Sequence, residues 1–320
     1  MKPTQMRGLI EARWPEPHVA STSELAAAGI DHRVLTEAVR RKELVRLRRG
    51  VYVRRAYWLT LAPWDQERLR IEAHWLSTQG GAVYSHATAA RILGCRTWGT
   101  DASVHVTVPY SGSKTSHGAD VRAHSLYIPD EDIVPVRLGP GRMARSTSLE
   151  RSVADVARIL DPERAAIIGD HALRLGASLD GIRAAAERSG AARGARRIEN
   201  LLGLLDGLSE SPGETRTRFA LAAAGLPTPV LQHRIETSEG QYRADFAWPD
   251  LLVVLEFDGD AKYFDYRPTQ EVLLAERRRE LALVAEGWTV ARVRWADLSV
   301  PGHVASTVLS AFERARKLAA

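Results

Sequence analysis

The stretch Leu251-Leu252-Val253-Val254-Leu255-Glu256-Phe257-Asp258 decides the fold of the last third of the chain. Five apolar residues without alternation describe a strand covered on both faces, and hence a central strand of its sheet. They run into two carboxylates, Glu256 and Asp258, which at i, i+2 spacing fall on one face. Upstream, residues 230–236 and 242–248 read as strands around the Ser238-Glu239-Gly240 turn. A tight turn at Pro249-Asp250 would set Asp245 opposite Val254 and make Glu256 its diagonal neighbour on the same face. Ser211-Pro212-Gly213-Glu214 opens a helix to about residue 224, with Ser211 as cap and Pro212 at the first helical position. Residues 271–286 form a helix stopped by Gly287, 288–295 a strand and 304–318 a closing helix. The order is αβββαβα, a compact α/β unit.

Carboxylates gathered at the end of a buried strand repel one another and resist desolvation, so they need a cation or lose charge. Mg2+ or Mn2+, held by a few oxygens and water, is the natural solution. Such an ion polarises a phosphoryl group and activates water.

The first third has a different character. Ser21-Thr22-Ser23-Glu24 has the form of a capping box opening a short helix that Gly29 stops. Asp31 caps a second helix, with Val34, Leu35, Ala38 and Val39 at helical spacing. Two β-prone runs, 44–48 and 51–53, then flank an Arg-Arg-Gly turn. Helix, tight turn, helix and basic hairpin is the layout of a winged helix-turn-helix. It distributes Arg33, Thr36, Arg40 and Arg41 along the second helix and Arg46, Arg48 and Arg49 over the wing. The planar fork of arginine suits phosphates and guanine edges, so duplex DNA is the expected partner.

Charge is divided accordingly. The chain carries 44 basic and 39 acidic residues, yet residues 1–58 hold twelve Lys/Arg against six Asp/Glu, so the other 262 residues are nearly neutral. A local basic excess fits a polyanion-binding module better than a generally basic protein does. Between the two ends, residues 59–204 are mixed: helices at 64–76 and 85–93, short strands at 82–84 and 104–108, and a Gly/Ser-rich loop at 110–120. Four helices follow, at 149–160, 162–175, 179–189 and 193–205. The chain thus reads as a multidomain α/β protein, α+β overall. Its three parts are a winged helix-turn-helix over 1–58, a mixed middle domain over 59–204 and an αβββαβ domain over 205–320.

With 45% hydrophobic and 26% charged residues, this is the composition of an ordinary folded protein. No stretch approaches the ~18 apolar residues of a membrane span, and the charged, proline-broken start lacks the apolar core of a signal peptide. Cys95 is the single cysteine, which excludes an internal disulfide. A cytosolic protein with no membrane partner is expected. Ser85-His86 reads as a helix cap, and the other histidines lack HxxxH spacing, so a zinc enzyme is not expected.

Two resemblances add to these readings. Asp245, an apolar strand and Glu256-Phe257-Asp258 resemble the PD-(D/E)xK nuclease superfamily. More closely, RADFAWPDLLVVLEFDGDAKY (243–263) with AERRRELALVAEGWTVARVRW (275–295) resembles an actinobacterial family whose C-terminal domain is related to very-short-patch-repair endonucleases. The resemblance implies a restriction-endonuclease-like fold and a metal-dependent DNA endonuclease. Glu214 would be the helix acid, Asp245 the central metal ligand and Glu256 the second. Asp258 stands where the superfamily usually has lysine, with Lys262, Arg243 and Arg277 as candidates for the missing positive charge. Glu214 and Ser211 also make a helix cap by themselves, and the two readings stand level.

GIDHRVLTEAVRRKELVRLRRGVYV (29–53), with GAVYSHATAARILGC (81–95) and VHVTVP (104–109), resembles antitoxins of the abortive-infection type IV toxin–antitoxin systems. That resemblance implies a DNA-binding repressor with a toxin protein as partner, and a homodimer would let it read paired half-sites. Two functions follow: a DNA endonuclease with Asp245, Glu256 and Asp258 holding the metal, or an antitoxin-like transcriptional regulator whose nuclease fold has lost its chemistry.

Overall fold

A computed structural model describes residues 3–108, 118–259 and 270–319. By internal packing the chain divides into two compact units. The first comprises Met1–Cys95, Gly99–Ile159 and Ala177–Glu199; the second comprises Arg96–Trp98, Leu160–Gly176 and Asn200–Ala320.

The first unit opens with α1 (Pro3–Arg13), whose Met6 and Ile10 are buried, followed by β1 (Val19–Ser21). Helices α2 (Thr22–Ala27) and α3 (His32–Arg40) come next, then the hairpin β2 (Leu44–Arg48) and β3 (Val51–Arg54). Both caps form as their residues dictate. The Ser21 hydroxyl accepts from the Glu24 N–H while the Glu24 carboxylate accepts from the Ser21 N–H, and Asp31 accepts from the Val34 N–H. Gly29, at φ +79°, makes the turn between the helices where a side chain would be strained. Leu25, Ile30, Leu35, Ala38 and Leu44 close a small core with Met6 and Ile10. The hairpin gains β1 as a third strand, in the order β1-β3-β2.

After α4 (Arg55–Thr60) and α5 (Pro63–Thr78) the same unit builds a five-stranded sheet. Its members are β4 (Val83–Tyr84), β5 (Val104–Val108), β6 (Val121–Ser125), β7 (Ile133–Gly139) and β8 (Arg142–Thr147), in the order β6-β5-β4-β8-β7. Helix α6 (His86–Ile92) lies between β4 and β5 in the chain. Three of these strands fall where the sequence suggested none. The expected 110–120 loop lies, up to residue 117, outside the described residues. Arg142 is almost wholly buried, binding Glu72 of α5, the Val19 carbonyl and the Glu24 carboxylate. Helix α7 (Leu149–Ile159) carries the fully buried Arg151, which reaches Asp155 at 2.9 Å and Asp132 at 3.2 Å. Buried charges persist because each has a partner of opposite sign.

Helices α8 (Pro162–Arg174), α9 (Leu179–Arg188), α10 (Ala195–Leu202) and α11 (Pro212–Ala223) precede the second sheet. That sheet, in the second unit, is formed by β9 (Val230–Thr237), β10 (Gly240–Trp248), β11 (Val253–Asp258) and β12 (Thr289–Arg294), in the order β12-β11-β10-β9. Helix α12 (Gln270–Ala285) lies between β11 and β12 in sequence, which lets those two strands run parallel, and α13 (His303–Ala319) closes the chain. One face of the sheet buries Phe246, Val253, Leu255 and Val293 against Leu221, Val304, Val308 and Phe312. The other buries Ala247 and Val254 with Leu283 and Trp288. The element order is αβββαβα, with β11 central and buried as its composition requires.

The β10–β11 connection differs from the tight turn expected at Pro249-Asp250. Pro249–Leu251 forms a single 3-10 turn and Leu252 adopts a left-handed φ of +52°. The longer connection moves the register, pairing Ala247 with Val254 and Phe246 with Leu255. Among the described residues, no helix is long and apolar enough to cross a membrane.

Candidate functional site

In the second unit the register shift brings Asp245 alongside the carboxylate strand end more closely than a diagonal would. Asp245 Oδ2 accepts the Phe257 N–H at 2.9 Å. Across the sheet, the β9–β10 ladder runs through Ala244↔His233 and Phe246↔Leu231, skipping the position where Asp245 meets Gln232. Gln232 has φ +50°, a strained value for a non-glycine residue. Its Nε2 donates to Glu214 Oε2 at 3.0 Å and approaches Asp245 Oδ1 at 3.5 Å. Glu214 is therefore held in this group as well as at its helix end. The Ser211 hydroxyl accepts from the Glu214 N–H, and the Glu214 carboxylate accepts from the Glu210 N–H rather than returning to Ser211. Gly213 lets α11 approach so closely that a Cβ there would stand 2.0 Å from the Phe257 ring.

Electrostatically the group is unbalanced. Burial is the first cause that raises the Glu214, Asp245 and Glu256 carboxyls above their ordinary range. Glu256 is pushed up to about 7, with the neighbouring Asp245 carboxylate as the second cause. Glu256 Oε1 and Gln232 Oε1 are buried without a hydrogen-bond partner among the described residues. Such orphaned oxygens suit a hard cation, and Asp245 and Glu256 are the residues that would hold it.

The other predicted members lie apart from this group. Asp258 is exposed and pairs with Arg294, its neighbour on β12, at 3.3 Å. Arg243 pairs with Glu210 at 2.8 Å, Arg277 is exposed, and Lys262 lies outside the described residues.

In the first unit, Arg33, Thr36 and Arg40 are exposed at i, i+3, i+7 along α3, and hence on one face. Arg46 and Arg49 are exposed on the wing. Arg40 and Arg41 both bind Glu37, whose carboxyl they hold down at about 2. Arg48 is turned inward: it meets Asp120 at 2.6 Å and lines a cavity of about 400 Å³ with Leu47, Arg70 and Ser103.

A third group was not anticipated. His86, the first residue of α6, His105 of β5 and His124 of β6 place one ligand atom each within 4.8 Å of one another. His105 Nδ1 and His124 Nε2 are 2.9 Å apart, and the His86 and His124 rings stack at 3.7 Å. Burial lowers all three, His105 and His124 to about 4, so the rings are neutral at pH 7. The residues lie 19 apart in sequence and come from three elements, so no ligand-spacing rule would gather them. Among the described residues, this is the group of three or more that satisfies that mutual distance, and the carboxylates do not.

Residues 17–55, which span both helices and the wing, match a family model described as the transcriptional regulator AbiEi antitoxin. The N-terminal region is thus an antitoxin-type helix-turn-helix domain. The chain is 30% identical over 242 residues to the uncharacterized proteins MT2308 and Rv2248 of two Mycobacterium tuberculosis strains, CDC 1551 / Oshkosh and H37Rv. The match covers 74% of this chain and 83% of each relative, and the chain belongs to their family. The crystal structure of the RV2827C protein from Mycobacterium tuberculosis is similar over 75% of this chain and 90% of that one, with 15% identity and a TM-score of 0.43.

Proposed function

We propose that the chain is an antitoxin-like, cytosolic transcriptional regulator that binds duplex DNA through α3 and the wing. The observation that carries this reading is the single exposed face of Arg33, Thr36 and Arg40, extended by Arg46 and Arg49 of the wing, within the segment that matches the antitoxin regulators. Arg48 and Arg41 serve the architecture in this reading, holding Asp120 and Glu37. Residues 1–58 act as the DNA-binding part, with 59–204 and 205–320 available for a second copy of the chain and for a toxin protein. Each arginine that neutralises a phosphate contributes about −0.9 to the slope of log K against log salt. The variant Arg33→Ala/Arg49→Ala should therefore bind the DNA upstream of its own gene more weakly, with the slope reduced by about 2. Unchanged affinity and slope in fluorescence anisotropy would overturn the reading.

A second reading is favoured by one observation, the strained Gln232 that holds Glu214 and Asp245 beside Glu256. In it the C-terminal domain is a PD-(D/E)xK-like, metal-dependent DNA endonuclease. Asp245 and Glu256 would hold Mg2+ or Mn2+, which supplies charge to polarise a phosphodiester and its attacking water. Gln232 orients Asp245, and the ion would hold the Glu256 carboxyl in its ionised form. The pairing of Asp258 with Arg294, where the superfamily has lysine, weighs towards the regulator. Asp245→Asn tests this reading: nicking of plasmid DNA by the wild type with either ion, lost in the variant, would establish it.

A further inference from the structure

The histidine group belongs to neither reading, and its geometry asks for a ligand. His86 sits at φ +52°, left-handed backbone that a non-glycine residue adopts only under strain. This places an almost wholly buried imidazole at the start of α6, against the β5–β6 edge. The ring nitrogens outside the cluster are approached by oxygens. Ser85 Oγ lies 2.9 Å from His86 Nδ1, and Asp101 Oδ1 lies 3.6 Å from His105 Nε2. With a proton on each of those nitrogens, His86 Nε2 and His105 Nδ1 carry lone pairs. That is how metal-ligating histidines are oriented: a carboxylate or other acceptor takes the far N–H and fixes the tautomer.

We propose that His86, His105 and His124 bind one borderline divalent transition-metal ion of the Zn2+ class, with a fourth position open to water or a small donor. Three nitrogens at the ~2.0–2.1 Å bond length of zinc in a tetrahedral arrangement stand roughly 3.3 Å apart. The closest pair stands at 2.9 Å and all three ligand atoms lie within 4.8 Å of one another, so the His124 ring must turn off its stack on His86 for the three lone pairs to converge at that spacing. Nitrogen donors select Zn2+, Co2+ or Ni2+, whereas Mg2+ and Mn2+ favour oxygens. The fourth position is reached past His124, which is only half-buried. The ion joins the N-terminus of α6 to two strands of the sheet and clamps the first unit, independently of whether the wing binds DNA.

The test uses the untagged full-length chain, stripped of metal and titrated with ZnCl2 by calorimetry. One Zn2+ per chain should bind, and at a hundredfold excess over Kd the first thermal transition should rise by several degrees. His124→Ala should weaken binding at least 100-fold, while Asp245→Asn leaves it unchanged. X-ray absorption on the zinc-loaded wild type needs no variant and should show three imidazole nitrogens and no sulfur. Absence of binding by the wild type, a shell made of oxygens alone, or binding lost in Asp245→Asn and kept in His124→Ala would each overturn the proposal.

Discussion

Beside the five-stranded sheet lie three imidazoles that burial keeps neutral, whereas beside the four-stranded sheet lie carboxyls that burial makes harder to ionise. The physical cause is the same in both, the cost of placing charge where water is excluded, but the sign of its consequence is opposite. A histidine with a lowered pKa binds fewer protons folded than unfolded as pH falls, so its unit loses stability in acid. A carboxyl with a raised pKa binds more protons folded than unfolded, so its unit loses stability as pH rises. The two groups thus contribute pH slopes of opposite sign to their units. The donor sets also differ in kind, borderline imidazole nitrogen in one and hard carboxylate oxygen in the other.

The largest effect that could break this comparison is the acid limb. Between about pH 6.5 and 4 the three histidines together should cost the first unit on the order of a few kcal/mol. Calorimetry across that window should show its transition falling by many degrees. His105→Asn/His124→Asn should flatten the fall, and an unchanged limb in that variant would remove the histidines as its source.

The alkaline limb is smaller because Glu256 dominates it. The second unit should weaken from about pH 4.5 through pH 7, the window between the ordinary carboxyl value and that of Glu256. Glu256→Gln should remove most of that slope and raise the thermal transition by a few degrees at pH 8. A variant less stable than wild type at pH 8 would show that the ionised Glu256 is better paired than its surroundings indicate.

The smallest change sharpens the comparison by testing geometry alone. Gly213→Ala places a methyl group against the Phe257 ring and should cost about 1–3 kcal/mol by overpacking, without altering either pH limb. Urea unfolding at two pH values measures both expectations. If the alkaline limb moves too, the Phe257–Asp245 hydrogen bond is part of what sets the carboxyl charges.

The antitoxin character of the first third and the central strand of the last third were both legible in the residues, for local reasons. Ser21, Glu24 and Asp31 cap helices within three residues, and the Arg-Arg-Gly turn joins strands that pair next to it. The run 251–258 announces a buried strand through composition alone. The strands β6 to β8 were not legible. β6 is largely exposed and polar, and only its parallel pairing with β5, some seventeen residues earlier, makes it a strand. Arg48 shows the same limit, since sequence assigns it to the wing surface and the fold turns it onto Asp120.

The sequence by itself therefore determined what adjacent residues can decide: caps, the winged layout, the central strand, the local basic excess and the presence of Glu214, Asp245 and Glu256 near one strand end. Tertiary structure decided what depends on register and crossing. Leu252 in left-handed backbone, a conformation that a bulky side chain seldom adopts, set the β10–β11 register and thereby the partner of Asp245. The meeting of His86, His105 and His124 required a helix start and two parallel strands to converge. Long-range strand pairing, rather than any spacing along the chain, brings those three rings together.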